Sequence, residues 1–376
     1  MAGFIKKYTA AVVFAAFIMI LAVADPLIPR RDYSEMENRN LAQEPEFTWT
    51  SFVEGRWTTK YEDYVNDQFI GRDNWITTKS VLESALFKIE NNGVAYGDDG
   101  YMFEKYQSFN EERFGRNTAA AASFADRFSG DITFMLIPNS YEILADKMPL
   151  GLENIDQSKY ITQAYSVVSG AKNITTVDLL GPLSAAKDDY IYYRTDHHWT
   201  ASGAWIGYRE FCAARGLPVM DLSSYAKHEV PDFYGTLYSK TKYWNAEPDT
   251  LTWYDIPIVS LTADGNAHDT LNDTEKFSRR DKYGALLWGN NGVTEITSSI
   301  AEGPAADRTL LVVKDSYSHS LAGFLTADYG RVILLDLRYY NGSVSELIKD
   351  KNVDDVLIMY NFMNFASDAE FAKLNS

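Results

Sequence analysis

The chain predicts an α/β fold, a parallel sheet flanked by helices and interrupted by an irregular or antiparallel insertion. Three features carry that expectation. Short, continuously apolar runs recur at 132–137, 175–180, 309–313, 332–337 and 353–360. Helix-like patterns lie between several of them, as at 158–171 and 321–329, and a further one spans 201–215. The stretch 218–307 then breaks the alternation with a mixture rich in Tyr, Trp, Asp and Thr. Strands apolar on both sides need covering on both sides, and helices between them make parallel pairing the simplest arrangement. With 376 residues, 46% apolar and 14% aromatic, the chain is long enough to bury a substantial core in one large domain or two.

Taken in order, the chain starts with Lys6 and Lys7, then a mostly apolar run from 8 to 24 ending in Ala22-Val23-Ala24. A basic start, an apolar middle and a small-x-small end describe a secretory signal peptide, and the run also lies at the short edge of what crosses a bilayer. Residues 1–25 are therefore expected to be a signal peptide or a membrane anchor, with the rest of the chain exported in both cases. Residues 26–55, polar and proline-containing, read as an extended arm. From 56 to 376 a single domain is expected, with its insertion at about 218–307. Its first part, 57–89, has apolar residues at spacings of three and four, a helix pair broken at Gly71. Val94-Ala95-Tyr96-Gly97-Asp98-Asp99-Gly100-Tyr101-Met102-Phe103 reads as a hairpin around an Asp-Gly turn.

Composition excludes some partners. A formal charge of -17 argues against nucleic acid and anionic lipid, both of which require clustered Lys and Arg. The single cysteine, Cys212, rules out an intrachain disulfide and is expected to fill a small buried apolar space. No cofactor is called for.

The densest chemistry lies in Asp196-His197-His198-Trp199, just before the 201–215 helix. In extended chain Asp196 and His198 project from one face, and an Asp that orients a His is half of a nucleophilic apparatus. The other half is sought where a strand ends. Leu310 to Val313 runs into Lys314-Asp315-Ser316-Tyr317-Ser318-His319-Ser320, which puts Ser316 on a strand-to-helix turn with backbone N–H groups nearby. Three alternatives stand beside this reading. Ser316 or Ser318 merely caps a helix; Asp196 and His198 only tie down a loop; or Asp196, His197, His198 and His319 bind a metal, although no zinc-type ligand spacing completes that set. Adjacent histidines are expected to point apart, and Lys314 to be solvated.

These residues, together with Glu37-Asn38-Arg39-Asn40-Leu41 and the 94–103 hairpin, resemble the DHHW proteins. That family is similar to the periplasmic alginate O-acetyltransferases of the SGNH-hydrolase-like superfamily. The resemblance implies an SGNH-hydrolase-like fold, circularly permuted because Asp315-Ser316 and the strand leading to Asn361 follow Asp196 and His198. It maps the Asp-x-His pair to Asp196 and His198 and the nucleophile to Ser316. Asn361 becomes the oxyanion side chain, with Asn364 as its substitute, while Lys314 stands where Gly is usual and Gly342 is a loose match for the second oxyanion glycine. Arg338, Tyr339 and Tyr340, just after a strand, are candidates for binding the glycan, or simply a solvated strand end.

The expected activity is acetyl transfer to a cell-surface polysaccharide through an acyl-serine. As the resemblance implies, a membrane-bound acyltransferase partner supplies the acetyl groups. A carbohydrate acetylesterase shares the same residues, and a non-catalytic glycan-binding or assembly protein expects Ser316, His198 and Asp196 to lie out of mutual reach.

Overall fold

The computed structural model describes residues 8–34 and 39–376. Lys6, Lys7, Glu37 and Asn38, which the sequence singled out, lie outside the described residues. The chain forms two units, residues 1–88 with 241–245, and residues 89–240 with 246–376.

In the first unit a helix spans Thr9–Ala24. At ~1.5 Å per residue its 16 residues fall short of a hydrocarbon core of ~30 Å, and among the described residues no helix is long and apolar enough to cross a membrane. Residues 26–55 are not extended throughout. Tyr33–Ser34 pairs antiparallel with Arg39–Asn40, and Trp49–Val53 is helical with the Thr48 side chain accepting from the Ser51 N–H. Helices Arg56–Gln68 and Arg72–Ala85 follow, separated at Gly71, whose φ of 66° suits a residue without Cβ. Arg39 clamps Asp67 with two bonds of 2.8 and 2.6 Å.

The second unit is built on an eight-stranded sheet. In chain order its strands are β1 (Asp131–Ile137), β2 (Ile174–Thr176), β3 (Ile258–Ala263), β4 (Asn266–His268), β5 (Val293–Ser298), β6 (Thr309–Lys314), β7 (Arg331–Leu335) and β8 (Asp355–Asn361). Across the sheet they run β4-β3-β5-β7-β6-β8-β1-β2. The five strands β7, β6, β8, β1 and β2 are parallel, and β5, β3 and β4 extend the sheet with antiparallel pairings. The expected insertion thus supplies three sheet strands, together with a separate antiparallel pair, Lys227–Phe233 with Asp249–Tyr254.

The strands read as continuous apolar runs because both faces are covered. Along β6, Leu310 and Val312 join one core with Tyr208, Phe211 and Cys212 of helix α3 (Ala201–Arg215). Leu311 and Val313 join the other core, against Phe114 and Phe124 of α1 (Glu111–Ala125) and Ile161 of α2 (Gln157–Val168). Cys212 is buried, as expected. Helices α4 (Val344–Lys351) and α5 (Phe362–Ser367) complete that second layer.

Some boundaries differ from expectation. The predicted 175–180 strand is only Ile174–Thr176, since Leu180 already opens a helix, Leu180–Ala185. The predicted helix at 321–329 reduces to Ala322–Leu325 after a tight 3₁₀ turn, Ser316–Ser320. The 94–103 hairpin is present as Val94–Tyr96 paired with Met102–Glu104, joined by Glu90–Asn91.

Candidate active site

Parallel strands present their carboxyl ends together, and the candidate site gathers where β6, β8 and β1 end. The chain leaves β6 through Asp315, the cap of the Ser316–Ser320 turn, whose Oδ1 accepts the Tyr317 N–H at 2.9 Å. Ser316 is half-buried, and its own backbone N–H makes no hydrogen bond to the described residues.

Asp196-His197-His198-Trp199 does not lie in extended chain. It forms a tight loop closed by a bridge between Tyr192 and Trp199, and Asp196 Oδ1 accepts the His198 backbone N–H at 2.9 Å. Trp199, fully buried, donates its indole N–H to the Tyr317 carbonyl at 2.9 Å, which ties this loop to the serine turn. The Thr200 side chain then caps α3.

The loop and the turn bring three predicted residues together. His198 Nε2 is 2.8 Å from Ser316 Oγ, and His198 Nδ1 is 2.5 Å from Asp196 Oδ1. Thr236, in the insertion, holds the other carboxylate oxygen through its N–H at 2.7 Å and its hydroxyl at 3.1 Å. Asp196 and His198 are 2% and 4% exposed, so solvent competes little for these bonds. Burial works to raise the Asp196 pKa, but the imidazoles of His198 and His197 outweigh it and hold the carboxyl well below its usual range. Burial brings His198 down to about 4, aided by His197 and opposed by Asp196, so its imidazole is neutral and can accept a proton at pH 7.

Contrary to expectation, His197 and His198 do not point apart. Their rings lie 3.9 Å apart at 36°, because His197 Nδ1 is drawn to Thr236 Oγ1 at 2.6 Å. Asp196, His197 and His198 offer ligand atoms within 4.8 Å of one another. Both Asp196 oxygens, both ring nitrogens of His198 and Nδ1 of His197 already have hydrogen-bond partners within the protein.

Asn361, at the end of β8, spends its side chain within the protein. Its Nδ2 donates to Asp315 Oδ2 at 2.6 Å and its Oδ1 accepts from the Asn364 N–H at 3.0 Å, while Asn364 Nδ2 reaches the same Asp315 oxygen at 3.1 Å. Asn139, just past β1, donates to Asn361 Oδ1 and to the Tyr317 hydroxyl, each at 3.2 Å. One N–H of Asn361 Nδ2 is thus committed to the loop that carries the nucleophile.

Lys314 is 2% exposed rather than solvated. It ends β6 beneath the serine turn, 3.3 Å from Asp336 Oδ2 and 3.1 Å from His319 Nε2. Arg338 binds Asp336 in two-pronged fashion, at 2.8 and 2.6 Å, and its guanidinium stands 5.5 Å from the ring of Tyr339. Burial lowers the Lys314 pKa against the pull of Asp336. Among the described residues no hydrogen bond joins Arg338 or Tyr339 to Ser316, His198 or Asp196; Tyr339 is exposed. Gly342 lies against the Tyr340 ring.

Two contributors escaped the sequence reading, Thr236 and Tyr283, because the insertion has no periodicity to mark them. The Tyr283 ring stacks on His198 with centroids 3.8 Å apart at 14°. Asn139 had a signal, a polar residue just past the proline that ends an apolar strand, at the end of a sheet where ligands bind.

The site thus sets a half-buried serine, a buried histidine and a buried carboxylate in hydrogen-bonded sequence at the carboxyl end of a mostly parallel α/β sheet. Residues 90–335 match the DHHW protein family, and the chain belongs to it. It is similar to a DHHW family protein from Eubacterium siraeum, 26% identical, with a TM-score of 0.63 over 76% of this chain and 97% of that one. The structure of Bacillus cereus PatB1 with a sulfonyl adduct shares the fold at 19% identity, with a TM-score of 0.60 over 75% of this chain and 98% of that one. A probable alginate O-acetylase AlgJ of Pseudomonas syringae is 26% identical over 44% of each chain. The chain thus spans less than half the length of the curated relatives it matches.

Proposed function

We propose that the chain is an exported O-acetyltransferase that acetylates a cell-surface polysaccharide through an acyl-Ser316 intermediate, on an SGNH-hydrolase-like, circularly permuted fold. The observation that carries this reading is the unbroken relay from Asp196 to His198 at 2.5 Å and from His198 to Ser316 at 2.8 Å. A purely binding protein needs no such relay. The permutation is supported by chain order, with Ser316 after β6 and Asn361 after β8, both later than Asp196 and His198. The acetyl group and the glycan are supported by the name of the Pseudomonas relatives, alginate O-acetylase. Export rests on the basic-apolar-small pattern of the first 25 residues.

In the first half-reaction His198 Nε2 takes the proton of Ser316 as Oγ attacks the donor's acetyl carbonyl, and returns it to the leaving group as the acyl-oxygen bond breaks. In the second, a sugar hydroxyl gives its proton to Nε2 and attacks the acetyl carbonyl, and Nε2 returns that proton to Oγ as the acyl–serine bond breaks, restoring Ser316 and the neutral imidazole. The backbone N–H of Ser316, which has no hydrogen-bond partner among the described residues, serves as the oxyanion donor, with the remaining amide hydrogen of Asn361 as the second. Tyr339 offers an exposed ring to the glycan and Arg338 steadies it. A membrane-bound acyltransferase partner supplies the acetyl groups.

The test is incubation of the full chain with 4-nitrophenyl acetate, with and without oligosaccharide acceptors, beside Ser316→Ala. Ser316-dependent nitrophenol release that acceptors convert into acetylated sugar supports the transferase. Release indifferent to acceptors makes it an esterase, and equal rates for Ser316→Ala overturn the serine mechanism.

A further inference from the structure

We propose that Tyr283 is a positioning residue, clamping the imidazole of His198 in the orientation from which Nε2 reaches Ser316. The inference rests on the acyl-transfer reading above and adds to it a residue from the insertion. Hydrogen bonds at Nδ1 and Nε2, with the bond to Cβ, hold the imidazole by its edge, but none of them blocks a tilt of the ring out of its plane as the side chain turns. A flat wall against the ring face stops that tilt. The ring of Tyr283 supplies it, 3.8 Å from His198 and within 14° of parallel. His197 packs at a similar distance but is tilted by 36° and is only half-buried, so it makes a poorer wall.

Tyr283 is itself held from the nucleophile's side. Its hydroxyl donates to the Ser316 carbonyl at 2.9 Å and lies 3.2 Å from Ser320 Oγ. It is 6% exposed, within a 3₁₀ turn, Tyr283–Ala285, and the same ring runs near-parallel to His319 at 5.9 Å. One side chain therefore grips the backbone of the nucleophile and the face of the base, fixing the two against each other. The contact also has a sign. When His198 takes up the serine proton it becomes a cation, and the face of an aromatic ring attracts a cation more than a neutral imidazole. The stack is thus stronger at the point of proton transfer than before it, which is the condition for lowering a barrier.

The experiment compares the full-length chain with Tyr283→Leu, which removes the flat wall, and Tyr283→Phe, which keeps it. Kinetics with 4-nitrophenyl acetate are read beside the low-field proton resonance of His198 Nδ1–H, assigned by its absence in His198→Gln. For Tyr283→Leu kcat is expected to fall about 10- to 100-fold, the scale of a misplaced catalytic group, with KM changed by less than about threefold. Tyr283→Phe, which loses one hydrogen bond, should stay within about tenfold of wild type. The resonance should persist in the Phe variant and broaden or vanish in the Leu variant. Wild-type kcat with an unchanged resonance in Tyr283→Leu overturns the proposal. If that variant does not fold by circular dichroism, Tyr283→Met serves the same comparison. If the wild type shows no Ser316-dependent turnover, the acyl-transfer reading falls, and the resonance alone decides on Tyr283: its persistence without the ring overturns the clamp.

Discussion

Replacing Asp196 by Asn isolates the orienting carboxylate at almost constant volume. The native side chain accepts at every contact: Oδ1 takes the His198 backbone N–H at 2.9 Å and sits 2.5 Å from Nδ1, while Oδ2 takes two bonds from Thr236 at 2.7 and 3.1 Å. An amide has one acceptor oxygen and one donor nitrogen, so the two sides cannot both be satisfied. With the oxygen toward Thr236, the NH₂ faces Nδ1, forces the proton onto Nε2 and leaves no lone pair for Ser316. With the oxygen toward His198, the NH₂ meets the Thr236 N–H donor to donor and pushes the loop away. The first orientation disables the base, for which the loss in kcat is about 10⁴-fold, or about 5.5 kcal/mol of barrier. Steady-state acetyl ester hydrolysis and transfer to an oligosaccharide measure it, with circular dichroism to establish that the variant is folded. A folded Asp196→Asn within tenfold of wild-type kcat would show that Asp196 serves only to hold the loop and that no relay operates through it.

Gly235→Ala should disable the same carboxylate from the outside, since a Cβ there would lie 2.1 Å from Asp196 Cβ and 2.3 Å from its Oδ2; a folded variant with unaltered kcat would contradict this. Because burial brings His198 down to about 4 and the base works only when neutral, the acid limb of kcat/KM should fall near pH 4 rather than near 6.5. A limb centred above pH 6 in the pH–rate profile counts against it. Asp336→Asn strands the buried Lys314 without its 3.3 Å partner and should cost about 3–5 kcal/mol of stability, measured by urea unfolding, whereas a loss below about 1 kcal/mol contradicts the pairing.

The architecture was legible because burial on both faces leaves a mark in every residue of a strand, as in Leu310 to Val313. Helix α3 was legible to its last residue, since Thr200 caps its start and Gly216, at φ 64°, its end. The Asp196, His198 and Ser316 positions could be read from residue type beside strand and helix ends. Other features depend on what the tertiary structure does with ordinary residues. Lys314 follows an apolar strand and looks like a strand-end lysine, yet Asp336, 22 residues on, lets it stay buried. Asn361 follows an apolar run like any turn residue, and only the fold reveals that Asp315 takes one of its two amide hydrogens at 2.6 Å. Thr236 and Tyr283 lie in a stretch whose path the local pattern does not encode, so their meeting with His198 and Asp196 left no trace in spacing.

The insertion between α3 and β6 bears on how this chain can change. It lays three strands along the sheet, delivers Thr236 to the carboxylate and places Tyr283 on the imidazole. A loop that merely decorates a scaffold can be trimmed, lengthened or exchanged between cousins with little harm. This one cannot be treated as a cartridge: excising it exposes a sheet edge and strips the base of two supports in the same cut. Change within 218–307 is therefore expected to be tolerated as substitution on its outer surface at near-constant length; recombinants that lose Thr236 or Tyr283 should be folded but inert, whereas those that lose β5, which pairs with both β3 and β7, should fail to fold.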